Sequence, residues 1–182
     1  MIVGMTGLAG SGKDTVARYL AERYGFGVVS FAFPLYSAIS QITGICLDDL
    51  YDRELKEAVI PWLGKSPREL LQSLGTEWGR RMVADDIWIR VAMQRVKAIT
   101  EEGGNVVITD VRFDNEAMAI RLAGGENWLV QRPGVHSCVG DTANHESEAG
   151  ISPVLVDTTI LNDTSVEALQ AQADRSLVQY KE

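Results

Sequence analysis

Cysteine is nearly absent from this 182-residue sequence: the two that occur, Cys46 and Cys138, lie far apart with no C-x-x-C spacing. That argues against a disulfide and fits free thiols in a reducing compartment. Histidine is as scarce. His136 and His145, with Cys138 between them, match no four-ligand zinc pattern, so no metal is expected on them. No apolar run approaches the length that spans a bilayer, and the first residues run directly into a strand and loop rather than a cleavable leader, so a cytoplasmic protein with no membrane partner is expected. Basic charge is also short. With 17 Lys and Arg against 25 Asp and Glu, the net charge of −8 argues against a long nucleic-acid partner and makes any phosphate-binding arginine a local exception. Repeats and low-complexity segments are missing too. The 46% hydrophobic content suffices for one core, and a single domain over residues 1–182 is expected.

What the sequence does contain is a complete G-x-x-x-x-G-K run, Gly7-Leu8-Ala9-Gly10-Ser11-Gly12-Lys13, between an apolar stretch ending at Met5 and a helix-like stretch from Thr15 to Leu20. Strand, glycine loop and helix in that order make a phosphate cradle: glycines let successive N–H groups converge, the helix N-terminus adds positive charge, and Lys13 reaches terminal phosphates. A nucleoside triphosphate is the expected ligand. The position after the lysine, ordinarily a hydroxyl residue that meets magnesium, is Asp14, with the first hydroxyl at Thr15. Asp14 either helps Thr15 hold the metal or its water shell, or is an acid favoured by the helix dipole.

Further along, Val28–Ala32 reads as a buried strand ended by Pro34, and Leu35, Ile39 and Ile42 mark a helix stopped by Gly44. Residues 46–65 are mixed and charged, a partly helical, mobile excursion. Ser66-Pro67-Arg68-Glu69 is a helix start with a capping box, predicting a helix to about Arg81, and another helix is expected from near Asp86 to Thr100. Strands are expected at 105–110, 128–131 and within 154–161, with a helix over 114–122. Thr164-Ser165-Val166-Glu167 reads as a second capping box opening a last helix. Strands alternating with helices predict an α/β protein: a five-stranded parallel sheet with helices on both faces. Arg132 to Pro153 is the longest stretch without periodicity, and loops of that length usually carry function.

Ligands of doubly wound sheets sit beyond the carboxyl ends of the strands, which brings Asp110 and Arg112 beside the glycine loop if the third strand neighbours the first. Asp110 then holds magnesium, accepts hydrogen bonds from an acceptor, or simply pairs with an arginine. Glu116 extends the same polar cluster or is a helix-surface acid. Arg68, Arg80, Arg81, Arg112 and Arg132 all fall near element ends, where a guanidinium fork suits phosphate oxygens, with Arg68 and Arg112 the first candidates. Trp88 either packs in the core or stacks on a base. His145 to Glu148 reads as a polar loop able to close over substrate.

On Gly10-Ser11-Gly12-Lys13-Asp14-Thr15, Arg68 with Gln72, Leu74, Gly75 and Thr76, Trp88, Asp110 with Arg112 and Glu116, Arg132-Pro133-Gly134, and His145 with Glu148-Ala149-Gly150, the chain resembles the bacteriophage deoxynucleoside monophosphate kinases, a branch of the P-loop kinases. Asp14 is shared with that family. The resemblance implies a P-loop kinase fold and transfer of the γ-phosphoryl group of ATP, with Mg2+, to a deoxynucleoside 5′-monophosphate, supplying DNA precursors in phage infection. It implies that Gly10, Ser11, Gly12, Lys13, Asp14, Thr15 and Arg132 hold ATP, with Asp14 and Thr15 towards the metal. Arg68, Gly75, Thr76, Trp88, Asp110, Arg112, Glu116, His145 and Glu148 would take the acceptor, and Lys13, Arg68, Asp110 and Arg112 would carry catalysis. Segments near 46–65 and 133–150 would move, and a homodimer is implied. Two rivals stand beside it. One is a kinase of phosphomevalonate or dephospho-coenzyme A, although Ser30 to Leu35 lacks the acid expected after the second strand of the latter; the other is an ATP-binding regulator that transfers nothing.

Overall fold

The computed structural model describes residues 1–134 and 150–179, and its strands are β1 (Ile2–Thr6), β2 (Gly27–Val29), β3 (Val106–Ile108), β4 (Glu126–Gln131) and β5 (Thr158–Leu161). All pairings are parallel, in the order β2-β3-β1-β4-β5. The third strand therefore does neighbour the first, with Gly4 opposite Ile108. The described residues divide into two compact units, Met1–Ser30 with Ala92–Glu182 and Phe31–Val91.

The first unit holds the sheet. Helices α1 (Lys13–Tyr24) and α7 (Val166–Gln179) bury Val16, Leu20, Leu169 and Ala173 against Val3, Met5, Val107, Trp128, Val130 and Ile160. The strand pleat turns Gly4 to the opposite face, where a Cβ would lie 2.5 Å from Ile120 of α6 (Asp114–Leu122) and 3.0 Å from Val111. Helices thus cover both faces, as the alternating pattern predicts.

Three boundaries depart from the sequence expectation for physical reasons. Strand β2 stops at Val29 rather than Ala32, because Pro34 belongs to the first turn of α2 (Phe33–Thr43), where a missing N–H costs nothing. Strand β4 begins at Glu126, two residues early: polar Asn127 is fully buried, its amide donating to the carbonyls of Ala117 (3.0 Å) and Leu155 (3.1 Å). The last helix is capped by Ser165, whose Oγ accepts the Ala168 N–H, rather than by Thr164.

In the second unit, α2 ends at left-handed Gly44, and the excursion at 46–65 contains one helix, α3 (Arg53–Glu57), capped by Asp52. The predicted capping box forms: Ser66 Oγ accepts the Glu69 N–H and Glu69 accepts the Ser66 N–H, opening α4 (Pro67–Gln72). The helix expected to run to Arg81 changes character at Ser73, becoming a π-helix over Ser73–Val83. Its wider coil accommodates Trp88, from α5 (Ile87–Glu101): the indole donates to the Gly75 carbonyl (2.8 Å), and a Cβ on Gly79 would lie 2.5 Å from the ring. Ile39, Leu50 and Leu71 form this unit's own small core. No helix among the described residues is long and apolar enough to cross a membrane.

Candidate functional site

Strand β1 delivers the chain to the sheet's carboxyl edge, and the glycine loop turns there into α1. Gly7, Gly10 and Gly12 have φ of 137, 78 and 105°, a region that disfavours a Cβ, so the turn requires glycine at these positions. Ser11 N–H donates to the Leu8 carbonyl (3.1 Å), closing the loop. The Lys13 ammonium lies folded back on that same carbonyl at 3.4 Å. Ser11 is 1% exposed, and its Oγ has no hydrogen-bond partner among the described residues. It faces inward, beside the point where a Cβ on Gly7 would meet the Val130 carbonyl at 2.4 Å.

Beside the loop lies a half-open cavity of about 290 Å³ lined by Gly10, Gly12, Asp14, Thr15, Arg132, Asn162, Thr164, Val166 and Leu169. Four of the residues expected around the donor nucleotide (Gly10, Gly12, Asp14 and Thr15) therefore share one cavity with Arg132, which follows β4. Asn162 was missed by the sequence reading. It follows β5, its backbone N–H extends the ladder to Gln131 (2.7 Å), and its side-chain amide donates to the Ser11 carbonyl at 2.9 Å. The signal was there: a polar residue just past the carboxyl end of a strand adjoining the strand that precedes Arg132.

Asp110 stands at the same edge. Thr109 N–H bonds Val29 and Val111 N–H bonds Met5, both at 3.1 Å, so its backbone is gripped on either side by β2 and β1. The Ser30 hydroxyl donates to Asp110 Oδ2 at 2.8 Å. Arg112 is exposed, whereas Glu116 is 3% exposed, its Oε2 accepting the N–H groups of Arg112 (2.9 Å) and Phe113 (3.1 Å). Glu116 is thus no helix-surface acid: its buried carboxylate stitches the turn at Arg112 and Phe113 to α6. Next to it, the Ser152 hydroxyl and N–H hold the Asp114 carboxyl below the usual carboxylate range.

In the second unit Arg68 is half-buried and pairs through Nε with Glu57 of α3. Gly75 is buried against Leu35, Thr76 is half-buried, and Trp88 packs on Gly75 and Gly79 as a core residue would. Arg80 is half-buried and Arg81 exposed, both on the π-helix. His136, Cys138, His145 and Glu148 lie outside the described residues, as does most of the 133–150 segment.

A family model described as Deoxynucleotide monophosphate kinase matches residues 62–173. A protein of Acanthamoeba polyphaga mimivirus, described as a putative deoxynucleotide monophosphate kinase, is 32% identical over 189 aligned residues, spanning 94% of this chain and 93% of its own length. The deoxynucleoside-5′-monophosphate kinase of Escherichia phage T5 is 26% identical, with 89% of each chain covered. Among solved structures, the dephospho-CoA kinase from Campylobacter jejuni superposes with a TM-score of 0.55 at 12% identity, covering 98% of this chain and 96% of its own. TT1252 from Thermus thermophilus gives 0.54 at 19%, covering 98% and 97%. These last two likenesses establish a shared fold and nothing finer.

Proposed function

Because the chain belongs to the deoxynucleotide monophosphate kinase family, we propose that it transfers the γ-phosphoryl group of ATP to a deoxynucleoside 5′-monophosphate, giving ADP and the deoxynucleoside diphosphate. The observation that carries this reading is the glycine loop ending in Lys13, opening on a cavity that Arg132 also lines. Its three left-handed glycines suit a loop whose N–H groups converge on a phosphate chain.

In the transfer, an oxygen of the acceptor phosphate bonds to the γ-phosphorus as the bridge to the β-phosphate breaks. The protein's work is positioning and charge neutralisation rather than covalent chemistry. Lys13 leaves the Leu8 carbonyl for the terminal phosphates, and loop N–H groups take the β-phosphate. Arg132 lies over the donor. The carboxylate of Asp14 and the hydroxyl of Thr15 are hard oxygen donors that fit Mg2+, which when bound would neutralise charge on the transferred group. Asp110, oriented by Ser30, and Arg112 receive the acceptor's polar groups, while Glu116 acts through the turn it holds. Acceptor roles for Arg68, Gly75, Thr76 and Trp88, and for His145 and Glu148, follow from the resemblance. So do a homodimer and work in the cytoplasm; exposed Trp62, Trp78 and Met82 are apolar surface that supports association.

The test is a coupled ADP-release assay with Mg-ATP against each deoxynucleoside monophosphate. Ribonucleotides, phosphomevalonate, dephospho-coenzyme A and no acceptor serve as controls. Turnover dependent on deoxynucleoside monophosphates is expected. ATP binding with no acceptor-dependent turnover would reject it in favour of a regulator.

A further inference from the structure

Asn162 stands where the phosphate loop and the nucleotide cavity meet. Its Nδ2 donates to the Ser11 carbonyl at 2.9 Å, across 151 positions of sequence. Its backbone is fixed by the 2.7 Å bond to Gln131 that continues the β4–β5 ladder, so the amide approaches the loop from the rigid sheet edge. The fit is close: a Cβ on Gly12 would lie 2.6 Å from Nδ2, so glycine at this position makes room for the amide as well as allowing φ of 105°. A trans peptide points its C=O and N–H to opposite sides. A Ser11 carbonyl held by Asn162 therefore fixes the N–H of Gly12 on the opposite side of that peptide.

From this geometry we infer that Asn162 is a positioning residue for the donor phosphates: it holds the Ser11–Gly12 peptide in the orientation that presents its N–H to the phosphate chain. The inference rests on the kinase reading and adds a residue to it. Removing the amide frees that peptide to rotate, and the ordering must then be supplied on binding. The loss falls on every ligand that carries the phosphate chain, with or without a base.

Calorimetric titration of inorganic tripolyphosphate and of ATP into wild type, Asn162→Ala and Asn162→Leu tests it, the leucine variant keeping side-chain volume without a donor. Both variants should bind both ligands about five- to tenfold more weakly, the scale of one net hydrogen bond. In the kinase assay the KM for ATP should rise while that for the acceptor stays put. Weaker ATP binding with tripolyphosphate unaffected would mean that Asn162 contacts base or ribose, and overturns the inference. So does a fall in thermal midpoint with both affinities unchanged. A wild-type chain that binds neither ligand overturns the kinase reading along with it.

Discussion

Replacing Glu116 separates a residue that touches the acceptor from one that shapes the turn beside it. The carboxylate is 3% exposed and accepts two backbone N–H groups, from Arg112 and Phe113, in the first turn of α6. Hydrogen bonds to a charged group contribute about 1.5–3 kcal/mol each. Glu116→Ala opens space that lets water reach the freed donors, so the lower end applies and a loss of about 3 kcal/mol is expected. For a chain of this size that lowers the thermal midpoint by roughly 6–12 °C. Glu116→Gln keeps an acceptor oxygen and loses the charge, including its favourable place at the helix N-terminus. Its expected loss is about 1 kcal/mol. Scanning calorimetry gives the midpoints, and steady-state kinetics gives the KM for acceptor and for ATP. Alanine should raise the acceptor KM because the Asp110–Arg112 turn loosens, glutamine should restore most of it, and the ATP KM should move little. A glutamine variant as stable as wild type yet as poor with acceptor as alanine would refute the argument, since only direct contact with substrate needs the charge without needing the fold.

Three other outcomes follow from the packing and hydrogen bonds elsewhere in the chain. Gly79→Ala pushes a methyl to 2.5 Å from the Trp88 ring, whose Nε1 is tied to Gly75, and the overpacking cost of about 1–3 kcal/mol exceeds the roughly 1 kcal/mol gained by replacing a helical glycine. Urea unfolding should show a net loss that Trp88→Phe partly relieves, and a stabilised variant would contradict the packing. Asp174 accepts the hydroxyls of Tyr19 and Tyr24, and its hydrogen bond pushes the Tyr19 phenol up to about 12, so the stability from this tie is intact below the ordinary tyrosine range near pH 10 and disappears as pH rises through about 12. In Asp174→Asn, phenolate absorbance should appear at lower pH; an unchanged titration sinks the assignment. Lys13→Ala should keep the wild-type circular dichroism spectrum, since its ammonium makes one long bond to Leu8, and lower kcat by roughly 10²–10³-fold, which single-turnover kinetics would check.

Local chemistry that leaves a sequence mark was legible in advance. The glycine loop, the Ser66 capping box, the Gly44 stop and helix 114–122 could all be read because each rests on neighbouring residues. What escaped depends on partners remote in sequence. Asn127 hid the start of β4 because its amide is satisfied by Ala117 and Leu155, which no period-2 pattern reveals. The π-helix escaped because Gly75 and Gly79 look like weak helix positions until Trp88 fills the space they leave. Asn162 escaped for the same reason: its partner, Ser11, lies at the other end of the chain. The place of Asp110 was legible through topology, since β3 beside β1 is what carries it to the loop's edge of the sheet.

Two buried side-chain atoms lack a hydrogen-bond partner among the described residues, Ser11 Oγ and Asn127 Oδ1, and each faces a glycine. Leaving such an atom unsatisfied costs about 1–3 kcal/mol. Asn127 Oδ1 faces Gly4, where a Cβ would sit at 2.8 Å, with Ile120 and Val111 around the same point; the space is closed, and the cost is offset by the two bonds its own Nδ2 makes. Ser11 Oγ is enclosed in the same way beside Gly7, where a Cβ would lie 2.9 Å from it and 2.4 Å from the Val130 carbonyl, and it has no such return within its own side chain. The loop's anion binding therefore rests on the backbone that its glycines shape beside the cavity and not on this hydroxyl. Glycine at position 7 thus meets two demands, a φ of 137° and room beside the Ser11 hydroxyl, which makes the loop's turn and its inward packing two consequences of one local arrangement.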